Sequence, residues 1–489
     1  MNQYRHRSLY LLAATLLMLA LSVAPVAAQV LYGSITGVVE DPSGSVVPGA
    51  KVTLTNNATG QVYDGTSDSN GIYNILNVLP GIYELKVTQQ GFKSQQRTGL
   101  NITANVINRT NIRMEVGALS EQITVQAETV TLQTDKADTH SEISKGLVKA
   151  MPLPGFRNYQ SLINLVPGAT PAVFQNSITD TPGRSLSTNI NGTNRNNNVT
   201  RIDGAASVNL WLPHHAGYVT PAEMVENVNI TTTAGDAEQG FAGGAAVSVI
   251  TKSGTNEFHG SAFEFHDNQR LRARNFFLSP TQRKPVRIYN NFGGTIGGPI
   301  VKNKFFFFYS YDNTKQRDGA TGVYSVPTAD IRTGDFSAIK DTIIFDPLTS
   351  AVPGERTPFP GNRIPANRIS AQANRIQAFY PLPNAPGAQA NYSIGATPQF
   401  NRYYNDVKLN YNRNSKHAIW GRYGQMNALV GGRGVFGDGV GPAPGSDPGL
   451  GDTVVRNMSL GQTYTITPTL LYDGVIGYQR QDQVVQGQD

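Results

Sequence analysis

The sequence contains no cysteine. An exported chain of this length must then rely on cores and sheets, which excludes the small disulfide-stapled secreted scaffolds. Beyond the N-terminal region no run of about 18 apolar residues occurs, so a spanning helix is not expected and any membrane entry must be made by β-structure. Charge is scarce too: charged residues are 15% of the chain and the formal net charge is +6 over 489 residues. Acidic and basic residues are interspersed apart from Arg270-Leu-Arg272-Ala-Arg274, so nucleic acid is not an expected partner. Catalytic patterns are missing as well, with no H-E-x-x-H, nucleophile elbow or phosphate loop. No enzyme activity, metal site or cofactor is expected.

What is present begins with Arg5, His6 and Arg7 ahead of an apolar run from Leu9 to Leu21, followed by small residues at Val26-Ala27-Ala28. This pattern predicts a signal peptide over residues 1–28, the run being short for an uncleaved anchor. Residues 29–116 then show short β runs broken by turns. Ala50-Lys-Val52-Thr-Leu54-Thr alternates, which places Ala50, Val52 and Leu54 on one face. Asp41-Pro-Ser-Gly44, Asp68-Ser-Asn-Gly71 and Leu79-Pro-Gly81 are turn signals at strand-length spacing. The expected unit is an antiparallel β-sandwich with strands at Ile35–Glu40, Ala50–Thr55, Gly71–Leu76, Ile82–Thr88 and Ile107–Met114. Asp68-Ser-Asn70-Gly71 is a hairpin turn rather than a calcium loop, because Thr66 and Asn77 would fill the first and last ligand positions.

A polar, extended linker at 117–136 leads into a mixed α/β unit over 137–254. Its expected elements are a short helix at Ile143–Met151, a second helical face made by Leu162, Leu165 and Val166 and stopped by Pro167-Gly168, and strands around Ile190-Asn-Gly192, Arg201-Ile-Asp203-Gly204 and Val225–Ile230. At Gly240–His266 the texture changes to alternating strands with aromatic ends. In Asn405–Tyr411, Val407, Leu409 and Tyr411 share one face and Asp406, Lys408 and Asn410 the other, as suits lipid outside and water inside a membrane barrel. A soluble sandwich could use the same alternation for a one-sided core. Tyr309 and Tyr311 at the end of an aromatic strand fit an interfacial girdle. Leu460–Ile466 and Leu470–Tyr478 read as one hairpin, and 313–400 as a long Pro-rich loop. The fold class is therefore mainly β, with a sandwich, a mixed α/β domain, and the first strands of an incomplete barrel over 255–489. His259 and His266 fall on opposite faces of a strand, so they share no metal.

Family likeness rests on residues in order along the mature chain. The opening Gly37–Ala50, with D-x-x-G-x-Y and L-P-G-x-Y after it, resembles the carboxypeptidase regulatory-like domain, which carries no peptidase chemistry. The series Leu153-Pro-x-x-Arg157-Asn158, Leu165-Val-Pro-Gly168, Asn191-Gly192, Asp203-Gly204, Val249-Ile-Thr-Lys252-Ser-Gly254-Thr-Asn256, Arg274-Asn-Phe-Phe277, Gly297-Gly298-Pro299-Ile and Pro358–Pro365 resembles the Oar-like TonB-dependent outer-membrane receptors. That resemblance implies a periplasmic sandwich, a plug at 137–254 occluding the lumen, and a barrel of about 22 strands in the outer membrane of a Gram-negative-type bacterium. It also implies energy-coupled uptake with a TonB-type protein and outer-membrane lipid as partners. The extracellular ligand is left unidentified, and a surface adhesin or binding scaffold is the alternative. Glu121-Gln122-Ile123-Thr124-Val125 resembles the family's coupling motif, a strand added to the partner's sheet. Trp211, His214, His215 and Tyr218 are candidate ligand contacts at a plug apex. The stretch after His259 is short for that many spanning strands of about ten residues, and Val484–Asp489 lacks an aromatic-terminated strand, so the sequence reads as the front of a longer protein.

Overall fold

The computed structural model describes residues 32–486 apart from 105, 119–121, 127–137, 210–211, 234–239, 241, 275, 277–283, 340–341, 433, 435, 437–448 and 468–469. The expected signal peptide, Glu121 and Trp211 lie outside the described residues.

The N-terminal unit is a sandwich of two sheets. One joins β1 (Gly33–Glu40), β4 (Ile72–Val78), β7 (Ile107–Arg109) and β8 (Ile112–Arg113); the other runs β3-β2-β5-β6-β9, with β2 Lys51–Asn56, β3 Val62–Thr66, β5 Gly81–Thr88, β6 Ser94–Ile102 and β9 Gln122–Gln126. Alternation explains the core: Val52 and Leu54 of β2 are buried against Ile35, Tyr73, Leu85 and Val87, while Lys51 points out. Asp68 makes the expected turn, its Oδ1 accepting from the Asn70 and Ile72 amides at 2.8 and 2.9 Å. Two features differ from the sequence reading. Strands β3 and β6 are polar and half exposed, so periodicity hid them. The sandwich is also mixed rather than antiparallel: β1 runs parallel to β7 and β8, and β6 parallel to β9. Each parallel pair is bridged by a connection long enough to bring the chain back in the same direction.

The second unit is a five-stranded sheet in the order β10-β13-β14-β11-β12. Its strands are β10 (Thr139–Ser144), β11 (Val199–Ile202), β12 (Ala205–Ala206), β13 (Val225–Thr233) and β14 (Ala246–Thr251). Asp203 and Gly204 both adopt positive φ, 45° and 79°, which gives the tight turn matching strand twist between β11 and β12. Helix α1 (Lys145–Ala150) starts later than expected because Ile143 belongs to β10, and Ser144 Oγ caps it by accepting from the Leu147 amide. The Leu162 segment is a 3-10 helix, Tyr159–Leu165, that buries Tyr159, Leu162 and Ile163. Leu165, expected on that buried face, stands exposed at its last position, where the chain turns into Pro167-Gly168. Ile190-Asn-Gly192 makes only one bridge, to Ala169, before turning at Asn191 and Gly192.

The third unit is one antiparallel sheet of seven strands: β15 (His259–Asn268), β16 (Arg287–Val301), β17 (Phe305–Asp318), β20 (Gln399–Asn414), β21 (His417–Gly432), β22 (Gly449–Thr467) and β23 (Leu470–Gln486), neighbours in that order. Its end strands β15 and β23 do not pair with each other, so the sheet is open. Leu409, Gly421, Leu460 and Ile476 stand side by side across four strands, and the three large side chains of that row are exposed. A continuous exposed apolar band of this kind is the lipid face of an outer-membrane barrel.

On the opposite face Arg402, Asp406, Lys408, Asn410 and Asn412 are buried. The sequence reading put water there, but the second unit fills the concave side and covers these polar groups. Tyr309 and Tyr311 are not strand ends, since β17 continues to Asp318. The aromatic cluster at the strand ends is instead Phe305 with Tyr411, their rings 6.0 Å apart, and Phe258 with Phe307. Tight turns at 302–304 and 415–416 mark one end of the sheet and long connections mark the other, which makes the short-turn end periplasmic. The long loop is shorter than expected at its start. It opens with a hairpin, β18 (Ala320–Tyr324) paired to β19 (Tyr392–Ala396), and buried Asn391 ties it by exchanging hydrogen bonds with the Val326 backbone.

Candidate functional site

The plug meets the barrel wall through one buried ion pair and through a hydroxyl that joins a second pair inside the wall. Lys408 on β20 donates to Asp203 Oδ1 at 3.0 Å and to the Thr251 carbonyl and hydroxyl at 3.1 Å. Asp203 sits where it does because the β11–β12 turn needs its left-handed backbone, and it also accepts from the Thr251 amide at 3.0 Å. Higher up the wall, Asp406, Gly424, Asn457 and Gln479 form one inward row across β20 to β23. Arg422 bonds Asp406 at 2.7 Å and Asn457 at 2.6 Å, and the plug's Tyr218 donates its hydroxyl to Asp406 at 2.9 Å. Gln479 reaches into the plug, donating to the Val208 carbonyl at 3.1 Å and accepting from Ser207 Oγ at 3.0 Å. Arg402 donates to the carbonyls of Pro182 and Gly183. Such buried pairs are weak evidence of net stability, yet removing one partner strands a charge at about 3–5 kcal/mol. Between them lies apolar packing, with Tyr404, Met426, Ala428 and Val455 of the wall in the same cluster as the plug core.

Below this seam the sandwich, plug and wall line a partly open chamber of about 1130 Å³. Lys252 lines it, and burial pulls its ammonium pKa down while Glu223 opposes the shift.

The candidate ligand contacts are not gathered on one open apex. His215 is buried and His214 half-buried, their rings 4.2 Å apart, with His214 Nδ1 3.0 Å from Asn196 Oδ1. Burial first, and then His214, lower the His215 pKa to about 4. Tyr218 is fully buried and holds Asp406. Of the coupling candidates, Gln122 to Val125 lie on β9, paired in parallel with Ser94 to Arg97 of β6. Ile123 is half-buried and Val125 exposed. Asp203, Asp406, Lys408 and Arg422 were not singled out as site residues from sequence. For the last three the signal was a charge on the inward face of a barrel strand; Asp203 lay within a plug strand candidate.

A sandwich at the short-turn end, a plug seated by buried polar bonds and a β-wall with an outward apolar band make up a plugged outer-membrane barrel architecture. Residues 250–489 match the outer membrane beta barrel domain family, and residues 34–115 match the carboxypeptidase regulatory-like domain family. Over 351 residues the chain is 28% identical to the TonB-dependent transporter Oar of Myxococcus xanthus, covering 67% of this chain and 31% of that protein. The chain is thus similar to an Oar-like TonB-dependent transporter of the Gram-negative outer membrane, and it spans about a third of the length of that curated relative. Such relatives are not enzymes. Among solved structures it is similar to the ferric enterobactin receptor of Pseudomonas aeruginosa, at 14% identity over 72% of this chain and 42% of that one, TM-score 0.39. It is also similar to the outer membrane transporter YddB of Escherichia coli, at 9% identity over 70% and 38%, TM-score 0.45.

Proposed function

We propose that this protein serves energy-coupled uptake of an extracellular ligand across the outer membrane, with the plug displaced by a TonB-type partner that takes hold of β9. The seating of the plug is the observation that carries this reading. Polar bonds between plug and wall are exchanged for water bonds on opening, at a modest net cost of about 0.5–1.5 kcal/mol for each neutral one. An edge strand such as β9 offers backbone groups to a partner strand with little demand on side chains, which suits a coupling segment. His214, partly exposed at the plug surface, is the ligand contact we assign among the described candidates, and the buried His215 ring packs against it.

Ile123→Pro in the full-length receptor tests the coupling assignment, because proline removes a backbone donor and fixes φ. Uptake of labelled ferric siderophore, peptide and oligosaccharide probes should lose its dependence on the proton gradient while surface binding stays. Unchanged uptake counts against the assignment. Binding with no gradient-dependent uptake in the unsubstituted protein would favour an adhesin or scaffold instead.

A further inference from the structure

The sandwich does not hang free of the barrel. Its Tyr32 packs with Ala104, Ile250 and Trp420 in one small buried cluster that joins sandwich, plug strand β14 and barrel strand β21, and Trp420 Nε1 donates to the Tyr32 hydroxyl at 3.4 Å. Gln61 Nε2 donates to the Asn414 carbonyl at 3.4 Å, the Asn256 amide to the Ala58 carbonyl at 2.8 Å, and Asn229 Nδ2 to the Ala104 carbonyl at 2.9 Å. At the barrel turn the fit is close: a Cβ on Gly60 would stand 2.4 Å from Asn303 Oδ1. These contacts lie at the short-turn end of the wall, so the sandwich covers the periplasmic mouth.

Behind that cover lies the chamber, lined by Asn101 of the sandwich, Glu142 and Lys252 of the plug, and Lys408 and Asn410 of the wall. It reaches the Lys408–Asp203 bridge, where plug and wall part if the plug moves. The sandwich forms one side of that space.

The candidate coupling strand belongs to the same cover. β9 is the outermost strand of the sandwich sheet, and the end of β6, its partner, lines the chamber through Leu100, Asn101 and Ile102. A strand added by a partner to β9 would extend the sandwich's own sheet. Traction on it reaches the sandwich directly through the β6–β9 ladder.

We propose that the sandwich is the exit gate of the lumen and that the partner opens it by pulling on β9. This rests on the coupled-uptake reading above and adds an order of events: cover first, plug second. Its hydrogen bonds to wall and plug join neutral groups, whereas the plug is held to the wall by the buried Lys408–Asp203 pair, so the cover is the weaker attachment.

Single-molecule pulling on the full-length receptor in a nanodisc tests the order, with force applied through the bound periplasmic domain of the coupling protein. Asn57→Cys with Lys302→Cys, both exposed positions, carries a fluorophore pair across the gate; Val173→Cys with Lys416→Cys reports the plug. With no native cysteine in these 489 residues, labelling here is clean. Energy transfer across the gate should be lost at a lower force than transfer from the plug. A disulfide between Ala58→Cys and Asn256→Cys, positions brought within bridging range by their backbone bond, should abolish the first step and reductant restore it. Plug movement with the gate pair unchanged overturns the gate while leaving coupled uptake standing. Failure of the coupling domain to bind the unsubstituted receptor overturns the coupling reading itself.

Discussion

Lys408 on the barrel wall and Asp203 in a plug turn sit 3.0 Å apart with both side chains almost wholly buried. The bond spans the seam between plug and wall and joins residues 205 positions apart in the sequence. It fixes the height at which the plug sits.

Lys408→Met keeps the length of the side chain and removes the charge, which leaves Asp203 buried without its cation. Loss of one partner of such a pair costs about 3–5 kcal/mol. Hydrogen exchange of β11 and β14 should accelerate, and adding Asp203→Asn should recover part of the loss.

Gly424 faces the second pair. A Cβ there would come within 2.7 Å of Asp406 Oδ1 and of an Arg422 nitrogen, and 2.8 Å from the Tyr218 hydroxyl. These atoms are bonded to one another, so none can yield alone. Gly424→Ala should therefore loosen the plug by about 1–3 kcal/mol, the usual cost of overpacking, read as faster proteolysis of plug loops. Tyr218→Phe should cost less, because it only deprives Asp406 of one donor.

Acid should weaken the plug through His215. Its pKa falls from 6.5 to about 4 on folding, so between those values the unfolded plug binds the extra proton and stability rises with pH. Above pH 6.5 the effect is absent; it grows as the pH drops toward about 4. Exchange protection around His215 should decline over that window, and His215→Leu should flatten the decline.

Gly254, at the passage from plug to barrel, has a different reason to be glycine. A Cβ would lie 2.2 Å from the Phe307 carbonyl oxygen and 2.7 Å from that of Gly298. Both are backbone atoms of paired strands and cannot swing aside. Gly254→Ala should displace the entry into β15 and lower the folded fraction seen by heat-modified gel mobility, whereas Ser253→Ala, one residue earlier, should leave it unchanged.

Much of this architecture was legible in the chain. Alternation marked Val52 and Leu54 as core and Asp406 and Lys408 as inward, whereas Asp203-Gly204, read as part of a strand, is a turn after β11. Polar strands such as β6 were not legible, because their partners rather than their periodicity make them strands. Leu165 was misread for a related reason: helical spacing says which residues share a face, not whether the chain's next turn leaves that face covered. At the candidate site, Tyr218 was singled out, but its partner Asp406 is remote in sequence and could not be read from it.

The sequence by itself determined the order of units and the two faces of the barrel strands, because both follow from local composition and a period of two. Only the tertiary structure decided what the inward face meets. Whether Lys408 and Asp406 face water or carry a plug depends on which distant residues fold into the lumen, and a buried charge takes its role from its partner. The same holds for β9: its five residues specify an extended strand, but docking against β6 makes it part of the sandwich.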